Sequence, residues 1–468
     1  MRWFSPARAL LALSCMLDCN VFTATAIDLD PTQPDQVRAA AKLVAAQLVS
    51  LYAKDVSKGS EPSNLNSGEV GMLPFPPYFW WEAGAMFGQL IDYWYYTNDS
   101  TYNQLVVDGI QAQIGVDKNF LPVNHAKDIG NDDQLFWAFT AMSAAELGFP
   151  DPKPDQPGWL ELAQSVMNQL IHHYDTDPPA CNGGLRWQNQ PFKTGYNYKN
   201  TAANGGMFQL GARLAKYTGN KTYEVYANKA FDWMLQSPLI EDNFRVNDGT
   251  DVNKLCVAAD RTQWTYNYGI MIGGAAYMYN YTNGHSTWRE RLQGFLNQTA
   301  NFFPEATGSV MIEVCEKLEV CNPDQLSFKA YLARWLALSA QIAPFTAAQI
   351  APILQHSAKA AARTCNAANE CGSRWNFDAF DGLAGAGQQM SALGIITANL
   401  FVHAKPQVTA DTGGHSKGNP AAGTGNPPPI VDYNSITTAD RAGAWIITVM
   451  VAGLLFGGAW WLVVGEGV

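Results

Sequence analysis

Positive charge is scarce in this chain: 30 Lys and Arg stand against 41 Asp and Glu, and only 15% of residues are charged. With no Lys/Arg-rich patch to neutralise phosphates, the composition argues against nucleic acid as a partner. Also missing are a Walker loop, a dinucleotide-binding glycine fingerprint and an H-E-x-x-H pair. Nor does a nucleophile elbow sit between a strand and a helix, so nucleotide, zinc-peptidase and serine-hydrolase chemistry lack support. His172-His173 falls late in an expected outer helix, at a spacing that matches no metal site. No metal and no cofactor are expected. Sustained alternation of Val, Ile and Thr is absent too, so strands are minor.

Cysteine is also sparse, and its placement speaks to compartment. Arg2 and Arg8 flank an apolar run, Ala9 to Met16, and Ala24-Thr25-Ala26 follows. This reads as a secretory signal peptide, residues 1–26, which removes Cys15 and Cys19. Six cysteines remain: Cys181, Cys256, Cys315, Cys321, Cys365 and Cys371. Fifteen pairings are possible. Local loop closure favours Cys315 with Cys321 and Cys365 with Cys371, leaving Cys181 and Cys256. Sequons at Asn98, Asn220, Asn280 and Asn297 suit the same oxidising route.

At the other end, residues 405–441 are rich in Gly, Pro, Thr and Asn and read as a flexible linker. The apolar residues 442–468 follow, with Glu466 the only charge after the run. Small residues, a spacer and a terminal apolar tail suggest GPI attachment, with the tail removed. Gly423, Gly425, Asn426 and Asn434 are the candidate attachment residues. The expected location is the outer face of a plasma membrane and the cell wall.

Between the ends, residues 27–404 repeat one pattern. Gly88 to Asp99, Gln209 to Asn220 and Gly273 to Gly284 are apolar helices with small residues, each ending in an Asn/Gly turn. Amphipathic stretches follow each, at Thr101 to Gln113, Thr222 to Leu235 and Ser286 to Phe303. Further helices are expected at Gln36 to Ala53, Asp133 to Leu147, Trp159 to Tyr174, Gln325 to Ala340, Ala347 to Cys365 and Leu383 to Ala404. Twelve helices in six hairpins predict an all-α fold, an (α/α)6 barrel with small residues on the inner ring. A self-contained ring predicts a monomer.

Chemistry should gather on the loops before the inner helices. Gly130-Asn131-Asp132-Asp133-Gln134 carries adjacent carboxylates among aromatic and amide neighbours. As N-terminal helix residues they have a capping explanation. Their context favours catalysis, because comparable polar and aromatic loops recur at residues 77–84, 195–206 and 263–269. Neighbouring Cα atoms are about 3.8 Å apart, which suits the short carboxyl separation of a retaining glycosidase better than the wider inverting one. Like charges would hold one carboxyl protonated as the acid. Trp81, Trp137, Tyr196, Asn197, Asn204, Trp264, Tyr266, Tyr268, Asp378 and Asp381 are the expected sugar-binding residues.

Phe79-Trp80-Trp81-Glu82-Ala83-Gly84, Gly130-Asn131-Asp132-Asp133-Gln134 with Phe136-Trp137, and Tyr198-Lys199-Asn200 through Ala203-Asn204-Gly205 resemble glycoside hydrolase family 76. Its founding members are α-1,6-mannanases. Together with the two ends, the chain is similar to the GPI-anchored fungal cell-wall branch of that family. The resemblance implies Asp132 as nucleophile and Asp133 as general acid/base. It also implies a mannose-containing donor, the GPI core or α-1,6-mannan, and a wall β-glucan acceptor. Endo-mannan hydrolysis and non-catalytic mannan binding are the alternatives.

Overall fold

A computed structural model describes residues 26–56, 69–177, 180–425 and 438–465. The signal segment and the candidates Asn426 and Asn434 lie outside the described residues. Two compact units are present, divided after Gly423.

In the first unit six inner helices close a ring: α2 (Trp80–Thr97), α4 (Asn131–Leu147), α6 (Thr201–Thr218), α8 (Thr265–Tyr281), α10 (Pro323–Ile342) and α12 (Ala386–Ala398). Each packs on the next, and α12 returns to α2. Outside them lie α1 (Pro34–Val56), α3 (Asn103–Ala112), α5 (Trp159–Thr176), α7 (Lys221–Gln236), α9 (Ser286–Gln298) and α11 (Ala347–Arg363). The expected (α/α)6 barrel is therefore the observed architecture. Close packing of the inner ring depends on small residues. A Cβ on Gly84 would meet the Trp137 ring at 2.6 Å, and one on Gly274 would meet Phe208 at 2.4 Å. Inner helices are buried all round, whereas outer helices bury one stripe.

All inner helices start at one end of the barrel. The loops there include a small antiparallel sheet, β1 (Tyr198–Asn200), β2 (Gly249–Asp251) and β3 (Ala259–Asp260), in the order β1-β2-β3. Cys181–Cys256, Cys315–Cys321 and Cys365–Cys371 are the disulfides. Asn98 caps the far end of α2, and Asn220 starts α7 just beyond the far end of α6. Both sequons therefore sit opposite the helix-start end.

The far end holds buried ion pairs. Arg213 donates to Glu146 at 2.7 Å and Arg334 to Asp92 at 2.9 Å, with Ser143 accepting from Arg213 at 2.8 Å. Part of the run read from composition as linker packs here. Val408 N–H donates to Glu146 O at 2.8 Å and Ala410 N–H to Tyr217 O at 3.0 Å. Ser416 Oγ then accepts Leu160 N–H at 3.0 Å, and Asn168 Nδ2 donates to the carbonyls of Pro420 and Ala422 at 2.9 and 2.8 Å. Residues 405–423 thus form a strap across the far end and along α5. Composition could not show this, because the strap is held through backbone groups rather than by buried apolar side chains.

In the second unit α13 (Thr438–Gly465) contains an apolar stretch, Arg441–Gly458, long enough to cross a membrane.

Candidate active site

Asp132 and Asp133 occupy the first turn of α4. The turn is pinned from outside the helix: Asn131 N–H donates to Trp187 O at 2.9 Å, and Asn131 Nδ2 donates to Arg186 O at 2.9 Å. His173 Nδ1, from α5, bonds Asn131 Oδ1 at 2.8 Å. Burial, with His172 beside it, pushes His173 down to about 4, so the ring is neutral and donates. That histidine therefore orients the site. The described residues contain no cluster of three or more His, Cys, Asp and Glu suited to a metal ion. Gly130 precedes the pair because a Cβ there would stand 2.9 Å from Asp132 Oδ1 and 3.0 Å from Trp187 O.

The two carboxylates are not equivalent. Asp132 Oδ2 accepts Asn200 Nδ2–H at 2.9 Å and Oδ1 accepts Asp133 N–H at 3.0 Å. Both its oxygens are therefore stabilised as a carboxylate. Asp133 accepts the Gly130 N–H on one oxygen. Burial first, then the neighbouring Asp133, push Asp132 well above the ordinary carboxylate range. Burial pushes Asp133 up to about 6; Asp324 adds to the rise, while the Gly130 N–H and Lys193 oppose it. Two buried carboxyls this close retain a shared proton; burial favours Asp132 as its holder, but two donors on Asp132 against one on Asp133 stabilise Asp132 as the carboxylate and leave the proton on Asp133.

The pair opens onto a cleft of about 260 Å³. Trp81, Phe136, Trp187, Tyr198, Tyr266 and Phe328 give it aromatic walls. Trp81 Nε1–H donates to Asp324 at 3.1 Å, and Tyr198 Oη–H donates to Asp248 at 2.7 Å. Burial raises both of these acids, Asp324 to about 6. Four aspartates and flat aromatic rings around one small cleft suit a ligand with many hydroxyls.

Of the expected sugar-binding residues, the structure brings Trp81 and Tyr266 to the cleft beside Asp132 and Asp133. Trp264 packs edge-on against Phe328 behind the wall. The others have different positions. Trp137 is fully buried and stacked on Trp80, because it lies nearly two turns down α4. Tyr268 is buried, and its hydroxyl accepts Val246 N–H. Asn204 is spent on Leu185 and on the Asn200 carbonyl. Tyr196 stacks under Arg186, whose guanidinium also donates to Asn197 Oδ1. Asp378 is an exposed partner of Arg363. Asp381 is buried, accepting from Ser373 and from the backbone of Arg374 and Leu383. Lys199 is likewise a brace, donating to the Ala180, Gly183 and Gly184 carbonyls.

Sequence reasoning passed over Asp248, Asp324, Trp187 and Asn200 as site residues. A signal for Asp324 was present. Trp81, Asp132, Ala202, Tyr266 and Asp324 are each the second residue of an inner helix, and all five line the cleft. Asp248 had no such marker, since strand pairing rather than a helix start places it.

One expectation follows from the acid. A protonated Asp133 is required for leaving-group departure, and burial of the pair holds its shared proton until the pH has risen beyond the ordinary carboxylate range. The pH profile of kcat/KM is therefore expected to fall above that range, and a flat profile to pH 8 would contradict the assignment.

The described architecture agrees with comparisons to known proteins. The family model for glycosyl hydrolase family 76 matches residues 36–411. Mannan endo-1,6-alpha-mannosidase DCW1 of Saccharomyces cerevisiae is 39% identical over 97% of this chain and 99% of its own. The crystal structure of Dfg5 from Chaetomium thermophilum in complex with glucosamine superposes with a TM-score of 0.77 at 38% identity, covering 85% of this chain and 97% of that one. An α-1,6-mannanase of Salegentibacter shares the fold, with a TM-score of 0.62 at 16% identity over 78% of this chain and 98% of its own. That structure is an inactive variant in which two adjacent aspartates are replaced by alanine, in complex with an α-1,6-linked mannotetraose. By the extent of the family match and of its relatives, this chain belongs to glycosyl hydrolase family 76.

Proposed function

We propose that the chain is a retaining glycosidase that cleaves an α-mannose-containing glycan and passes the cleaved sugar to another sugar hydroxyl. The observation that carries this reading is the asymmetric aspartate pair on the floor of an aromatic cleft. Asp132 attacks the anomeric carbon, and Asp133 gives its proton to the departing glycosidic oxygen. This leaves a glycosyl ester on Asp132. Asp133, now a carboxylate, takes the proton of the incoming hydroxyl as that oxygen displaces Asp132. Trp81, Trp187 and Tyr266 offer faces to sugar rings, and Asp248 and Asp324 accept hydrogen bonds from sugar hydroxyls.

The donor in this reading is the mannose-containing core of a GPI anchor, and the acceptor is a wall β-glucan. The enzyme acts as a monomer, held at the outer face of the plasma membrane through its own anchor. The apolar helix α13, and a yeast relative named for its action on mannan, support that location. Endo-hydrolysis of α-1,6-mannan is the second reading, favoured by the name of the Saccharomyces relative.

Mass spectrometry of products formed from a GPI-core oligosaccharide, with and without a β-1,6-glucan acceptor, separates the two. A product extended by acceptor sugars, retaining the α-configuration, is expected. Reducing ends alone, formed at the same rate with or without acceptor, would make the enzyme a hydrolase.

A further inference from the structure

Most of the large apolar side chains that the barrel unit exposes lie on loops at its cleft end. Two of those loops are closed by disulfides. In the turn after β2, Leu255 and Val257 flank Cys256 and are each 78% exposed, and Cys256 is bonded to Cys181. Leu318 and Val320 are 76% and 64% exposed inside the Cys315–Cys321 loop. Leu255, Cys256 and Glu319 adopt left-handed backbone conformations that disfavour β-carbon-bearing residues. These turns are thus held in shape with aliphatic side chains in water. Sugar stacking does not account for them, since Leu and Val lack the flat face that an aromatic ring presents to a pyranose.

Both loops are rooted at the cleft. The first connects strands whose partner β1 leads into α6, and Asp248 lies directly before β2. The second is tied to the start of α8, where Glu313 accepts the Thr265 N–H and hydroxyl. Against the second loop, and along the segment at 260–263 that follows the first, is an open groove of about 700 Å³ lined by Arg245, Arg261 and Lys317. Asp260 lines it too, but its carboxylate accepts from the Thr262 N–H and hydroxyl. Glu241 stands 3.9 Å from Arg261. Cations still outnumber these anions, in a chain of net charge −11.

We infer that this face, the turn at 252–258, the loop at 314–321 and the groove beside them, docks on a phospholipid bilayer. The aliphatic tips enter the headgroup layer, and the groove takes a headgroup phosphate. A bilayer is the occupant that matches apolar points beside a cationic groove, and α13 places the same chain at a membrane. Reach does not prevent it. The strap ends at Gly423 against Ser165 of α5, and residues 424–437 precede α13. Fourteen residues to α13, or eleven to a lipid carried on Asn434 in its place, can span up to about 50 or 40 Å, whereas inner helices of this length are only about 25–30 Å long. Docked this way, the dyad opens toward glycans that begin at the lipid surface, a lipid-anchored mannose glycan rather than free wall mannan. The substrate consequence rests on the proposed function; the membrane contact does not.

The full chain, purified with its own anchor and reconstituted in phosphatidylcholine vesicles carrying a photoactivatable carbene lipid, supplies the test. Peptide mapping should find label in 252–258 and 314–321 as well as in the anchor, and the Leu255→Asp/Leu318→Asp variant should lose the loop label. In the same vesicles that variant should turn over a lipid-linked mannose glycan about tenfold more slowly, the loss expected when two partly inserted leucines are removed. Its turnover of the same glycan in soluble form should be unchanged. Label confined to the anchor, or equal losses on both glycans, overturns the inference; the former would leave a protein as the occupant. If the wild type turns over neither glycan, the functional reading fails while the labelling still decides the docking surface.

Discussion

Replacing Asp132 by Asn is expected to stop turnover of natural and activated substrates alike, while sugar affinity persists. The substitution removes the nucleophile and keeps its volume. One of the two donors now satisfied by the carboxylate, Asn200 Nδ2–H or Asp133 N–H, would face an amide nitrogen instead. That costs about 1 kcal/mol of local stability, which does not unfold the barrel. Asp133→Asn should behave differently. Loss of a general acid slows a reaction about 10²–10⁴-fold, but an aryl mannoside whose leaving group needs no proton should still form the glycosyl ester. Such a substrate should therefore give a burst with Asp133→Asn and none with Asp132→Asn. The opposite pattern would exchange the two roles.

Replacing Arg213 by Met is expected to give the largest loss of stability among single changes far from the cleft. Arg213 is buried, and its guanidinium holds both oxygens of Glu146 and the Ser143 hydroxyl. Without it, a buried carboxylate keeps only the Tyr277 hydroxyl as a donor. Breaking one partner of such a pair costs about 3–5 kcal/mol. The Arg213→Met/Glu146→Gln double variant should recover a good part of this, because the uncompensated charge is gone. Denaturation midpoints of the two variants check the argument; equal midpoints would mean that Arg213 acts through packing alone.

The fold was legible because one physical rule repeats. Small residues recur where inner helices touch, and Asn or Gly turns close each hairpin, so Gly88, Gly211 and Gly273 mark the ring in the sequence itself. The dyad was legible for the same reason, as a polar interruption at a helix start. The cleft walls were less so. Trp137, Tyr268 and Asn204 belong to the same loop-and-helix segments as the true lining residues, and composition treats them alike. Position along the helix separates them. The second residue of an inner helix faces the axis above the packed core, whereas Asn204 and Tyr268, one half-turn lower, face neighbouring backbone, and Trp137 is deeper still. Asp248 and Trp187 were hidden because they reach the cleft through strand pairing and loop hydrogen bonds between distant segments, which no local pattern encodes.

The strap at 405–423 also separates two fates that a simple tail would merge. A protease cutting beyond Gly423 would shed a catalyst whose far end stays closed, since the strap bonds of Val408, Ala410, Ser416, Pro420 and Ala422 all lie upstream of the cut. A cut before Gln407 would instead strip the cover from the Glu146 carbonyl and from Tyr277, whose hydroxyl bonds Gln407. Shedding into the wall and destruction in place are thus distinct proteolytic outcomes, decided by whether the cut falls beyond Gly423 or before Gln407.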